Sequence, residues 1–128
     1  MVKFGTIESA QELKKLMEAD KDLPKLLKGL NTTRTSKVTD RPEIKQVFER
    51  IEDGKVVEIR YLEPGDKPEF VYEASWDTWK GIVQNTIDPQ KALVQGKMKI
   101  EGNMQTMTKY LRGMLKIQDL QKKVSYEW

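Results

Sequence analysis

The sequence contains no cysteine and no histidine among its 128 residues. Without cysteine there is no disulfide, thiolate nucleophile or cysteine-ligated zinc site. Histidine, the usual proton carrier near neutral pH and the commonest metal ligand, is missing too. The remaining acidic pairs, such as Glu49 and Glu52, fall in turns and on strand faces where carboxylates are generally solvated. We therefore predict no catalytic residues, no metal and no cofactor, and a protein that is not an enzyme.

Long apolar runs are also absent. No segment approaches the ~18 consecutive apolar residues of a membrane-spanning helix. The N-terminus, Met1-Val2-Lys3-Phe4-Gly5, lacks the apolar stretch of about 7–15 residues found in signal peptides. A soluble cytoplasmic protein is the expectation from these two absences.

Charge is plentiful but unevenly placed. Charged residues make up 34% of the chain, and the net charge is +3. Residues 91–128 hold eight basic and three acidic side chains, whereas residues 1–90 are slightly acidic. A basic segment could attract an anionic head group, an anionic membrane surface or nucleic acid. Because the lysines alternate with acids and the aromatics look buried, we predict no nucleic-acid binding and leave a transient membrane contact open.

The first 31 residues predict two helices. Ser9 and Glu12 fit a capping box, and Leu13, Leu16 and Met17 recur at helical spacing up to an end near Asp20. A second, short helix is expected after Asp22, with Pro24 in its first turn.

The middle of the chain predicts strands. Residues 32–39 are rich in β-branched side chains. Residues 44–51 fit a helix or a twisted strand equally well. We prefer the strand because Asp53-Gly54 and the mainly apolar segment 56–62 follow in a hairpin pattern. Phe70–Ala74 is a further predicted strand.

The last part of the chain predicts helices around one more strand. Ser75 and Asp88-Pro89 are typical helix starts, and residues 97–101 alternate charged and apolar side chains as a half-buried strand does. After Gly102-Asn103, apolar residues recur at helical spacing in a final helix, and residues 117–128 are expected to pack as a tail. This order predicts one α+β domain, 1–128, with residues 1–31 as N-terminal helices and 32–128 as sheet and C-terminal helices.

The stretch from Asp88 to Asn103 resembles the sterol carrier protein family, the type-two sterol-transfer domain, in its stand-alone bacterial or archaeal form. The shared pattern is a short helix, Gly96-Lys97, an alternating strand, and Gly102 opening the last helix. The match extends over roughly residues 32–123, while the first 31 match only in being helical. Asn103 replaces the commoner aspartate, and either residue can cap a helix.

This resemblance implies a five-stranded antiparallel sheet with helices on one face, enclosing an apolar tunnel. The implied function is non-catalytic binding and carriage of a fatty acid, acyl-CoA, sterol-like molecule or other lipid. The alternative is a structural or dimerisation module with a filled core and no ligand. Whether the protein forms a homodimer stays open.

The predicted ligand-binding residues lie on the apolar faces of two helices and the strand between them. Four of the six methionines fall between residues 98 and 114, and flexible methionines suit surfaces that accept ligands of varied shape. Phe70 or Tyr72, and Ile59 or Tyr61, could contribute from the sheet. The full predicted set is Trp76, Trp79, Ile82, Val83, Met98, Ile100, Met104, Met107, Leu111, Met114 and Leu115.

Overall fold

The computed structural model describes residues 1–128 and has the predicted α+β architecture. Its helices are Ile7–Ala19 (α1), Leu23–Leu26 (α2), Trp76–Val83 (α3), Pro89–Val94 (α4) and Met104–Gln121 (α5). Its strands are Val2–Lys3 (β1), Thr32–Val38 (β2), Val47–Glu52 (β3), Lys55–Tyr61 (β4), Phe70–Ala74 (β5), Met98–Glu101 (β6) and Tyr126–Glu127 (β7). No helix combines the length and the apolar character that crossing a membrane requires.

The main sheet has five strands in the order β4-β3-β2-β5-β6. Three of its four strand pairs are antiparallel, but β2 and β5 are parallel, with Arg34 opposite Phe70 and Val38 opposite Ala74. The fully antiparallel sheet expected from the sequence is therefore corrected at this one pair. The β3–β4 hairpin lies on one side of β2, and residues 62–69 return the chain so that β5 runs in the same direction along the other side.

The ambiguous segment 44–51 is resolved as a strand that begins at Val47, with Ile44 in the preceding loop. The predicted hairpin follows it. Asp53 and Gly54 both have positive φ angles, 49° and 76°, and this pair of values suits a two-residue turn between twisted strands.

Helix α1 begins earlier than the sequence predicts. The capping box is formed by Thr6 and Ser9, whose side chains each accept a hydrogen bond from the backbone N–H of the other residue. The predicted pairing of Ser9 with Glu12 is wrong because Ser9 already lies at the third helical position. The predicted end near Asp20 is confirmed.

A short parallel pairing joins the two ends of the chain. Val2 of β1 lies opposite Tyr126 of β7, and the preceding tail residue Val124 is buried. Phe4 lies with its ring centroid 5.5 Å from those of Tyr126 and Trp128. The tail therefore packs against the N-terminal segment, as expected of residues 117–128.

The core lies between the sheet and the helices. Leu27, Phe70 and Ile82 are completely buried there. The opposite face of the sheet carries exposed charged residues such as Lys37 and Lys99. This one-sided burial matches the alternation of charged and apolar residues in β6.

Candidate functional site

A cavity of about 70 Å³ lies between the helices and the central strands. Its walls come from α1, from β2 and β3, and from the C-terminal half of α5. The lining extends from Lys45, which is exposed, to Ile117 and Gln118, which are buried. We call the exposed part of this lining, at Ser36 and Lys45, the mouth, and the buried part, at Ile117 and Gln118, the inner end.

An ion pair between Arg34 and Glu49 forms part of the cavity wall. The two residues lie directly opposite each other on β2 and β3, and each side chain is nine-tenths buried. Burial alone would lower the pKa of Arg34, but the adjacent Glu49 carboxylate outweighs it, and the pKa is raised above its ordinary value. Arg34 therefore stays charged, and its charge is balanced within the wall.

Tyr72, on the neighbouring strand β5, completes this polar group. Its ring centroid lies 5.9 Å from the guanidinium carbon of Arg34. Burial raises the pKa of the Tyr72 hydroxyl, so the residue is a neutral phenol at physiological pH.

Gln118 supplies an unpaired acceptor on the helical side of the cavity. The residue is 4% exposed, and its Oε1 is buried without a hydrogen-bond partner. Leaving a buried polar atom unpaired costs about 1–3 kcal/mol. Because Oε1 itself is not exposed to the cavity, a hydrogen-bond donor can pair with it only after the wall opens at Gln118.

About half of the lining residues are apolar, among them Leu13, Val38, Trp79 and Ile117, and the others are polar or charged. Trp79 is 1% exposed, and its indole Nε1 donates a hydrogen bond to the backbone oxygen of Lys37 at 3.0 Å. This bond satisfies the buried N–H group and holds the indole ring against β2.

The N-terminal segment lies close to the β2–β3 loop where both line the cavity. Gly5 has a φ angle of 80°, and a Cβ placed on it would lie 3.0 Å from Cγ2 of Ile44. Phe4, Gly5, Ile44 and Lys45 all line the cavity. Separation of these two segments would widen the opening.

Most of the binding residues predicted from the sequence do not line the observed cavity. Trp79 is the only one that lines it. Ile82, Val83, Met98 and Met114 are buried in the core. Five others are half-buried: Trp76, Ile100, Met107, Leu111 and Leu115.

Met104 is 67% exposed, and the reason lies in the rotation of α5. The buried side of this helix carries Tyr110, Gly113, Ile117 and Leu120. The Tyr110 hydroxyl donates a hydrogen bond to the backbone oxygen of Lys28 at 3.2 Å. This bond holds the buried side of α5 against the segment that follows α2. Of the α5 residues predicted from apolar spacing, only Met114 lies on this buried side. Met107, Leu111 and Leu115 are half-buried.

Arg34, Glu49 and Gln118 also line the cavity, and none of them was predicted from the sequence as a binding residue. Opposite charges fifteen residues apart become neighbours only once the register of β2 on β3 is known. Gln118 follows the buried Ile117 in α5 and resembles a polar surface residue when the sequence is considered alone.

Of the strand residues considered from the sequence, Phe70 and Tyr72 are both buried, and Ile59 and Tyr61 are half-buried.

Three comparisons relate this chain to known proteins. The model of the SCP-2 sterol transfer family matches residues 11–114. No curated protein matches the sequence significantly. Among solved structures, a crystal structure of sterol carrier protein 2 has a TM-score of 0.82 at 17% identity and covers 96% of this chain and 100% of that one.

Two further structures have the same fold. A possible sterol carrier protein from Thermus thermophilus has a TM-score of 0.79 at 16% identity, covering 99% of this chain and 93% of its own. The palmitated SCP2L2 protein from Aedes aegypti has a TM-score of 0.60 at 15% identity, covering 84% and 90%. Because the family model covers most of the sequence, this chain belongs to the SCP-2 sterol transfer family.

Proposed function

We propose that this protein binds a hydrophobic ligand non-covalently between its sheet and helices and carries it without catalysing a reaction. Membership of the SCP-2 family implies lipid binding or transfer in general. A fatty acid, an acyl-CoA or a sterol-like lipid would each bring the apolar surface that this mode of binding needs. Burial of that surface supplies roughly 25 cal/mol per Å², before the cost of association.

The cavity is the observation on which this proposal mainly rests. It lies between the two layers of the fold and reaches the surface near Lys45. Its apolar lining includes Trp79 and Ile117, which are buried against the core. An enclosed space with an apolar wall and a surface opening is the usual form of a small-molecule site.

The ligand must enlarge this space in order to enter. The cavity of about 70 Å³ is smaller than the ~300–1,000 Å³ of typical ligand pockets. Movement of the Phe4–Thr6 segment away from Ile44 would extend it towards the surface. We therefore propose that the structure represents a closed form and that ligand binding shifts the population towards an open one.

The predicted set of tunnel residues stays a proposal alongside the observed cavity. Trp79 belongs to both. Enlargement of the space along α5 would bring in Met107 and Leu111, which are half-buried, and Met107 packs against the core.

Delivery of a lipid would require contact with a membrane. Val94 and Met104 are exposed apolar side chains, at 84% and 67%, within the basic segment 91–128. We propose transient contact of this segment with anionic lipid, tested by sedimentation with anionic and neutral vesicles. Salt should weaken binding to the anionic vesicles.

The second candidate function is a structural or dimerisation module with a filled core. The small volume of the cavity favours it. In that case the buried residues would stabilise the fold only, and a partner would bind on the surface.

Lipid extraction from freshly purified protein, combined with native mass spectrometry, tests the two candidates. The carrier function predicts a bound lipid in the native mass spectrum and uptake of a fluorescent fatty acid after delipidation. If the protein is purified without bound lipid and takes up no fluorescent fatty acid, the structural or dimerisation module is the supported function.

A further inference from the structure

We propose that the inner end of the cavity receives an uncharged, hydrogen-bond-donating head group, such as a lipid hydroxyl, which donates to Oε1 of Gln118. This inference rests on the proposed carrier function and specifies the class of ligand. It places the polar end of the ligand inside the protein and the apolar chain towards the mouth.

The unpaired acceptor is the first argument. Oε1 of Gln118 is buried and makes no hydrogen bond, although nearly all buried polar atoms in folded proteins are paired. A hydroxyl that reaches it would pair this atom. A hydrocarbon end would leave it unpaired and would lie against the Arg34–Glu49 ion pair, which also lines the cavity.

The charge balance is the second argument. Nε of Arg34 already donates to Glu49, and the two charges cancel. A ligand carboxylate at the inner end would add a negative charge beside Glu49 in a poorly solvated place, where an uncompensated charge is costly. The remaining cation of the lining, Lys45, is exposed at the mouth. A neutral donor therefore fits the inner end better than an anion.

Three ligands with the same hydrocarbon chain test the assignment: 1-hexadecanol, palmitate at pH 8 and methyl palmitate. Each competes with a fluorescent lipid for the delipidated wild-type protein. We expect 1-hexadecanol to bind more tightly than palmitate. The variant Gln118→Met should bind 1-hexadecanol about three- to tenfold more weakly, the equivalent of one neutral hydrogen bond, and methyl palmitate as the wild type does.

Gln105→Met provides the matched control. Gln105 lies on the same helix with its side chain exposed, so its replacement should change the affinity for none of the three ligands.

A stability measurement on ligand-free protein gives an independent readout. Gln118→Met removes an unpaired buried polar atom, so its melting temperature should exceed that of the wild type by a few degrees. A lower melting temperature would contradict the unpaired state of Oε1 and overturn the proposal.

The binding results separate this inference from the carrier function. If none of the three ligands binds, both the carrier function and the head-group assignment are contradicted. Equal affinities, or the same alcohol preference in Gln118→Met, would overturn the head-group assignment alone. Tighter binding of palmitate than of 1-hexadecanol, lost in the variant Lys45→Gln, would place the head group at the mouth. That result would also overturn the head-group assignment.

Discussion

Arg34 and Glu49 lie opposite each other on adjacent central strands and form an ion pair on the side of the sheet that the helices cover. A charged pair is unexpected in the layer between the sheet and the helices, because both ions lose hydration there. Its presence gives the cavity a charged but electrically balanced part of its wall. It also makes the stability of the protein sensitive to loss of either partner.

The ion pair predicts strong non-additivity between two substitutions. Arg34→Met should lower the free energy of unfolding by about 3–5 kcal/mol, because it leaves Glu49 charged and unpaired in the interior. The double variant Arg34→Met/Glu49→Met should recover most of that loss. Urea denaturation of the single and double variants measures both. Equal destabilisation of the two proteins would show that the charges do not interact in this way.

Filling the cavity should impair ligand binding more than folding. Ala10 of α1 lines the cavity, and Ala10→Leu would place three more carbon atoms in it. We expect the affinity for a fluorescent fatty acid to fall at least about tenfold, with a change in unfolding free energy of no more than about 1–3 kcal/mol.

Met107→Trp is the comparison for this experiment, because Met107 is half-buried and does not line the cavity. A ligand confined to the observed cavity predicts near-normal affinity in this variant, whereas enlargement of the cavity along α5 predicts weaker binding. Loss of binding in Met107→Trp but not in Ala10→Leu would place the ligand along the apolar stripe that the sequence predicts.

Asp66 predicts a pH-dependent contribution to stability. Its carboxylate accepts two hydrogen bonds from Arg60, at 2.7 and 3.0 Å. These bonds, together with one from the Glu63 backbone, lower the pKa of Asp66 to about 2. Since the folded pKa lies below the unfolded value of about 3.9, the contribution is fully present above that value and is lost as the pH falls towards 2.

Asp66→Asn should therefore melt at a lower temperature than the wild type at pH 7, and the difference should shrink between pH 4 and pH 2. Thermal unfolding followed by circular dichroism measures it. Asp22→Asn is the control, because the Asp22 side chain makes no capping hydrogen bond. A difference for Asp66→Asn that stays constant with pH would contradict the role of its carboxylate.

The hairpin glycine Gly54 should tolerate alanine poorly. Its φ angle is 76°, and an added Cβ would lie 2.6 Å from the backbone oxygen of Leu27. Gly65 also has a positive φ, 95°, but its Cβ would meet no atom within 4 Å. Gly65→Ala should lower the free energy of unfolding by about 1–2 kcal/mol from backbone strain alone. Gly54→Ala should lower it by more, because the contact with Leu27 adds to the strain. Chemical denaturation measures the free energy of unfolding of both variants. Equal losses would show that the backbone at Leu27 moves away from the new Cβ without cost.

Most strands and helices could be predicted from local pattern. Asp53-Gly54 between two apolar runs indicates the hairpin, and Ser75 and Asn103 mark helix starts that the structure confirms. The capping box at Thr6 was missed because two overlapping patterns, at Thr6 and at Ser9, lie in the same turn. The rotation of α5 was missed because polar and small residues, Tyr110 and Gly113, make contacts that hydrophobicity does not reveal.

The amino-acid sequence by itself determined the family, the α+β order of the elements and the alternation that makes one sheet face apolar, because these depend on residues close together in the chain. Only the tertiary structure decided that β2 and β5 run parallel, that Arg34 meets Glu49, and that Gln118 faces a cavity. Each of these depends on strand register or helix rotation, which long-range packing sets. The candidate site is therefore a product of contacts between distant residues, whereas the fold is largely encoded in near ones.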